Sequence, residues 1–276
     1  MGEHSEIVKL LLKKDADPNI QDNYGKTALH WSVLVEHSQI VKLLLKNGAD
    51  LDIQDNDGKT ALHRSVEIQR TEVVKVLLEN GAVPNIQDNR GNTALHFAAL
   101  GRDTEIVNML LKRGGHLNVR NNNGETALHI AAYCRDTEVI KVLLKNGAIL
   151  NIRNNNGWTA LHKAANRGDI DTTELLLKNG AVPNIRDNNG ETALHEALRS
   201  RGTKLVNILL KNGADPNIQD NDEWTALHRA AYWGQTEIVK VLLKNGADRT
   251  IADIHGRTAL QVARASGHHE TAFAFW

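Results

Sequence analysis

The sequence predicts an all-α repeat solenoid, in which short helix pairs stack in one direction and are joined by tight loops. Three observations predict it. The tetrapeptide Thr-Ala-Leu-His begins at Thr27, Thr60, Thr93, Thr126, Thr159, Thr192 and Thr225, always 33 residues apart, and an eighth copy at Thr258 ends in Gln261. A strict period of roughly 20–50 residues marks one supersecondary unit stacked many times rather than a single globular core. Within each period an apolar stripe of helical spacing recurs, and Gly and Asn-Gly breakers fall at the same register positions.

The segment Thr93 to Glu125 shows the elements in order. Thr93 is placed to cap a helix, its hydroxyl accepting from an otherwise orphan backbone N–H. Leu95, Ala98 and Ala99 give that helix a small-residue face for close approach of a neighbour. Gly101 to Asp103 breaks it, and Asp103 or Thr104 caps a second helix with Glu105 at its positive end. Ile106, Val107, Leu110 and Leu111 form the apolar stripe of the second helix, and Gly114 ends it. Leu117, Asn118 and Val119 read as a short extended piece, followed by an Asn/Gly turn from Arg120 to Gly124.

The unit is therefore helix, turn, helix, β-turn. It resembles the ankyrin repeat, whose pattern includes T-P-L-H-x-A, with Ala in place of Pro in every copy here. The resemblance covers nearly the whole chain. It implies L-shaped repeats of paired antiparallel helices, β-hairpin loops projecting from them, and a curved stack whose concave face, made by the loops and first helices, binds partner proteins. A single domain, 1–276, then contains a partial repeat 1–26, full repeats 27–59, 60–92, 93–125, 126–158, 159–191, 192–224 and 225–257, and a truncated repeat 258–276. Residues 3–26 supply only a second helix and hairpin, and the last repeat stops at Trp276 inside its second helix. Such ends fit a segment of a longer protein or a chain with unusual caps.

Bulk composition excludes several function classes. Lys+Arg and Asp+Glu are both 33, so the formal net charge is zero. Nucleic-acid binding driven by a basic footprint is therefore not expected. The single cysteine, Cys134, permits no internal disulfide and fits a reducing compartment. No apolar run approaches the roughly 18–20 residues of a membrane helix. The start reads as amphipathic rather than as a signal peptide, and Glu6 sits where an N-myristoylation pattern needs Ser or Thr. These features read as a monomeric cytoplasmic protein without nucleic-acid or membrane partners.

Chemistry is not signalled either. Seven of the 13 histidines (His30, His63, His96, His129, His162, His195 and His228) belong to the motif and fall one per layer. A zinc site instead needs several ligands converging on one ion. Each imidazole is expected to bridge its own Thr hydroxyl and a neighbouring backbone group. Turns such as Asp55-Asn56-Asp57-Gly58 fail the calcium-loop pattern, because Ile53 and Arg64 hold the places that need an acid and a Glu. Cys134 reads as a surface thiol. No catalytic residue, metal site or cofactor is expected.

The register does single out variable positions: one and three before the motif Thr, and four, seven and eight after it. By the resemblance these line the partner-binding face. Tyr24, Trp31, Phe97, Tyr133, Trp158, Trp224, Tyr232 and Trp233 all fall there; of the chain's aromatics, only Phe273, Phe275 and Trp276 do not. Aromatics at helical spacing usually mark a core, but Leu, Ile, Val and Ala fill the core positions here. Trp, Tyr and Arg dominate interface energetics, and exposed aromatics in a patch mark a binding site. Lys26, Lys59, Arg64, Arg90, Lys163, Arg167, Arg199 and Arg229 interleave with them, against Glu67, Glu125, Glu191 and Glu196. The candidate partner-binding residues are therefore Tyr24, Lys26, Trp31, Arg64, Arg90, Phe97, Tyr133, Trp158, Lys163, Arg199, Trp224, Arg229, Tyr232 and Trp233. Two contact regions are expected, Tyr24/Trp31/Phe97 and Trp158/Trp224/Tyr232/Trp233, with Tyr133 between them.

The implied function is a non-enzymatic scaffold gripping a folded domain or peptide of some acidic character. The alternative is a targeting or regulatory segment of a larger effector, enzyme or channel. The Asn-Gly-Ala-Asp-Pro-Asn-Ile phrasing is similar to ankyrin proteins of intracellular bacteria, large viruses and protists, which implies an effector acting in host cytoplasm.

Two framework departures carry expectations of their own. Glu223 stands where the other complete hairpins place Gly, a position expected to need positive φ. Thr172 and Thr173 replace an Ile/Val pair and mark a point of local opening.

Overall fold

The computed structural model describes residues 3–34 and 38–276. Met1 and Gly2, where an N-myristoylation pattern begins, lie outside them. The chain forms two compact units, Met1–Ala131 with Glu138–Ala148, and Ala132–Thr137 with Ile149–Trp276. Unit 1 contains α1 (Glu3–Lys13), α2 (Ala28–Leu34), α3 (Ser38–Lys46), α4 (Ala61–Glu67), α5 (Thr71–Glu79), α6 (Ala94–Gly101) and α7 (Thr104–Lys112), with most of α8 (Ala127–Tyr133) and α9 (Thr137–Lys145). Unit 2 contains α10 (Ala160–Asn166), α11 (Ile170–Lys178), α12 (Ala193–Ala197) with a 3₁₀ turn Leu198–Ser200, α13 (Thr203–Lys211), α14 (Ala226–Tyr232), α15 (Thr236–Lys244), α16 (Ala259–Ala265) and α17 (His269–Phe273).

Within unit 1 the first helices α2, α4 and α6 pack as one layer and the second helices α3, α5 and α7 as another. Unit 2 repeats this with α10, α12, α14 and α16 against α11, α13, α15 and α17. Small residues set the close approach: Ala94, Ala98 and Ala99 are buried with Leu95, and Ile106, Val107 and Leu110 seal the other layer. Thr172 and Thr173 are also fully buried. Thr173 Oγ1 donates to Asp169 O (2.7 Å), whereas Thr172 Oγ1 has no partner among the described residues. A buried unmade hydrogen bond costs about 1–3 kcal/mol, which makes α11 a weak place.

The motif residues lock consecutive layers. In the second repeat His63 Nδ1 lies 2.9 Å from Thr60 Oγ1 and accepts from the Thr60 N–H at 3.2 Å, while Nε2 lies 3.2 Å from Asn92 O in the next repeat. A carbonyl can only accept, so Nε2 carries the proton. Burial, the largest cause, lowers the pKa of His30, His63, His96, His162 and His228, and that of His195 to about 4. These imidazoles are therefore neutral framework, as the register implied.

The hairpins differ from expectation. Leu117 and Asn118 lie in a turn, and the isolated bridge between Ala252 and Thr258 is the β pairing found among the described residues. The loops are instead built from side-chain-to-backbone bonds. The residue five before each motif Thr offers one oxygen to two backbone N–H groups, as Asp88 Oδ1 does to Arg90 N (2.9 Å) and Asn92 N (2.7 Å). An asparagine ladder adds a second tie, with Asn56, Asn89 and Asn122 in unit 1 each donating to the carbonyl 33 residues earlier. Asn188 and Asn221 do the same in unit 2.

That ladder explains the hairpin glycines. A Cβ on Gly91, at φ +76°, would lie 2.6 Å from Asn122 Oδ1. Glu223 does adopt positive φ (60°), and the ladder position above it is Ile254, which carries no amide oxygen. The turn ending the first helix is likewise left-handed at Gln69, Arg102, Arg135 and Arg201. There Gln69 Nε2 donates to Gly101 O (2.9 Å) and an Arg135 guanidinium nitrogen to Arg167 O (2.6 Å), ties that offset the strain. The last helix also departs from expectation: α17 ends at Phe273, and Phe275 is buried with its carbonyl accepting from Arg249 (2.8 Å). Cys134, expected at the surface, is half-buried.

Candidate partner-binding surface

Each unit presents exposed aromatic rings beneath cations. In unit 1, Lys26 Nζ lies 4.4 Å from the Trp31 ring centre and 5.9 Å from that of Tyr24. Phe97 is not part of this group. It is half-buried, with Lys59 Nζ 4.8 Å above it and His63 edge-on at 5.9 Å, while Arg90 is exposed on the same hairpin. In unit 2, Lys163 lies 5.6 Å from Tyr133 and 5.3 Å from Trp158, and Arg167 lies 4.8 Å from Tyr133. Tyr133 thus groups with Trp158 rather than standing alone. Trp224 and Tyr232 meet edge-to-face at 5.3 Å, and Arg229 sits 5.9 Å from the Trp233 ring. Tyr24, Trp31, Tyr133 and Tyr232 are exposed, whereas Trp158, Trp224 and Trp233 are half-buried.

The hairpin aspartates hold this surface in place. With Oδ1 used by the turn, Oδ2 accepts from a variable side chain. Trp31 Nε1 donates to Asp22 Oδ2 (2.9 Å), Trp158 Nε1 to Asp187 Oδ2 (2.9 Å), and a guanidinium nitrogen of Arg64 and of Arg229 to Asp55 and Asp220 Oδ2 (2.7 Å each). An indole tethered this way is pre-oriented, which lowers the entropy cost of binding. Sequence reasoning assigned these aspartates to turns alone. The only signal for their second role was a donor-bearing residue nine after or 29 before each of them.

The cations also differ from the expected basic face. Arg64 pairs with Asp55, Asp57 and Glu67, and Lys59 with Glu67. Arg229 pairs with Glu191 and Asp220, and Arg199 with Glu196. Arg64, Arg199 and Arg229, all read as partner contacts, are therefore compensated within the chain. Their charge orders the surface instead of advertising for acidic ligands.

Unit 2 carries a carboxyl cluster that sequence reasoning missed. Asp187, Glu191 and Glu196 each bring an oxygen within 4.8 Å of the others. Such a set could ligate a hard cation, but Arg199 and Arg229 already supply positive charge there. Glu196 is fully buried; Oε2 accepts from Asn166 (2.6 Å) and Arg199 (3.0 Å), and Oε1 has no hydrogen-bond partner among the described residues. Burial, aided by the Glu191 carboxylate, raises the Glu196 pKa to about 7. Burial alone would also raise Glu191, but the Glu196 hydroxyl and Arg229 hold it down to about 2. Such a group could move protons, yet a fully buried carboxyl offers a substrate no approach.

No helix among the described residues is long and apolar enough to cross a membrane. A family model described as ankyrin repeats (3 copies) matches residues 1–88, 72–154, 146–220 and 201–274. No curated protein matches the chain.

Proposed function

The chain belongs to the ankyrin repeat family, typically non-enzymatic scaffolds that bind other proteins, and we propose that it grips one partner protein through its hairpins and first helices. The observation that carries this reading is the placement of Tyr24 and Trp31 in unit 1, and of Tyr133 and Tyr232 in unit 2, as exposed rings on those elements, the first three beneath cations and Tyr232 packed edge-to-face on Trp224. Rigid amphipathic rings with few rotamers supply contact area at low entropic cost, and such rings dominate interface energies. The half-buried Trp158, Trp224 and Trp233 support the exposed ones. Among the cations, Lys26, Arg90 and Arg167 form no ion pair with a carboxylate of the described residues, so acidic groups on the partner are matched at these positions. The partner is a folded domain or peptide, and the chain acts as a monomer in cytoplasm, including that of a host if it is an effector.

The test is quantitative. A partner identified by affinity capture is re-expressed and titrated against the wild-type chain and against Tyr24→Ala, Tyr133→Ala and Tyr232→Ala. These side chains are exposed, so folding is expected to survive, with each substitution weakening binding about tenfold. Unchanged affinity in all three removes the reading.

A further inference from the structure

The hairpin aspartates divide into those whose Oδ2 is taken and one whose Oδ2 is not. Asp22, Asp55, Asp187 and Asp220 accept from Trp31, Arg64, Trp158 and Arg229, and Asp253 accepts from Arg257 (2.8 Å). Asp88 holds its own turn through Oδ1 in the same way, yet no side chain among the described residues donates to its Oδ2 and no cation lies within ion-pair distance. The reason is in the register. The residue nine after Asp88, where the second and seventh repeats place Arg64 and Arg229, is Phe97, whose side chain has no N–H, and the residue 29 before Asp88, Lys59, donates to Glu67 instead.

Asp88 is only 6% exposed, and it lines a cavity of about 410 Å³ together with Phe97, Leu100, Asp57, Lys59, Glu67 and Arg90. Charge on the walls of this cavity is only partly paired. Asp57 is bound by Arg64 and Glu67 by Lys59, while Arg90, on the same walls, forms no ion pair with the Asp88 carboxylate. A carboxylate so enclosed favours a donor that brings positive charge. The Phe97 ring already lies beneath one cation, Lys59 Nζ at 4.8 Å, so its surroundings suit a guanidinium.

We propose that this cavity is a socket for an arginine side chain of the partner, which docks on Asp88 Oδ2 as Arg64 docks on Asp55. The proposal rests on the partner-binding reading of this surface and names one residue type of that partner. It also places a basic contact within a face whose other free positions favour acidic ones.

The test uses the full chain and small probes. Backbone amide shifts are followed by NMR while Nα-acetyl-arginine amide is added, with the citrulline analogue as a neutral isostere. Saturable shifts centred on residues 88–97 are expected, with the citrulline analogue binding about tenfold more weakly. Asp88→Asn removes the effect while keeping the turn, since Asn121 and Asn154 make the same two Oδ1 contacts in their own hairpins. Phe97→Arg copies the second repeat, closes the socket from within, and raises the melting temperature as it abolishes arginine binding. Equal binding of the two probes, or an Asp88→Asn chain that titrates like wild type, overturns the proposal. That failure leaves the partner-binding reading standing, because the tyrosine substitutions judge it separately.

Discussion

Arg64 in unit 1 and Arg229 in unit 2 hold the same register position and grip the same hairpin aspartate, Asp55 and Asp220, yet their surroundings handle charge in opposite ways. Around Arg64 the surplus carboxylates reach water: Asp57 and Glu67 side chains are 68% and 36% exposed. Around Arg229 the second carboxylate, Glu191, is 11% exposed, and behind it Glu196 is fully buried. Solvent screens extra negative charge in the first case. In the second a proton shared between Glu191 and Glu196 has to do so. The contrast shows that one repeat scaffold carries the same ion pair as a surface feature or as a buried network, according to what the preceding hairpin contributes.

The comparison breaks most sharply at the arginines themselves. Arg229→Ala strands two carboxylates that are largely desolvated, and should cost about 3 kcal/mol in denaturant unfolding. Arg64→Ala strands one buried carboxylate, Asp55, but its other partners, Asp57 and Glu67, reach water, so it should cost less, about 2 kcal/mol. Equal losses would mean that burial does not distinguish the two sites.

Protonation sharpens it further. Glu196 has a folded-state pKa above its unfolded value, so it imposes no cost below pH 4.5 and its full cost above about pH 7. Stability of unit 2 therefore falls as pH rises through that window. Glu191 works the other way, contributing above pH 4.5 and losing its contribution as pH falls toward about 2. Glu196→Gln mimics the protonated form. It should raise stability by about 2–3 kcal/mol at pH 8 and by almost nothing at pH 4.5. A variant whose melting curve follows the wild type at both pH values would show that no proton is held there.

The smallest effect is at Glu223. Its left-handed φ lies beneath Ile254 rather than a ladder asparagine, so backbone strain is what a glycine would relieve. Glu223→Gly should stabilise by under about 1 kcal/mol, since the added freedom of the unfolded chain offsets part of the gain. A lower melting temperature would show that the Glu side chain makes a contact worth more than the strain.

Much of this architecture could be read from the residues alone. The His ladder, the Thr caps, the left-handed position at Glu223 and the Thr172/Thr173 pair all sat where the register placed them. The extended piece at Leu117 did not, because side-chain oxygens rather than a strand ladder satisfy the hairpin backbone. The basic face did not survive either, since a charge count cannot tell a solvated arginine from one bound at 2.7 Å to an aspartate nine residues earlier.

By itself the sequence determined the repeat, its period and the role of each motif residue. Those contacts join groups at fixed separations, three residues for Thr to His and 29 for His to the next carbonyl, so one repeat read correctly predicts the others. The tertiary structure alone decided which charges are spent, which indoles are tethered and which aspartate is left with an open oxygen. These outcomes depend on what three successive layers place around one carboxylate, and on how much water reaches it, and neither quantity is periodic.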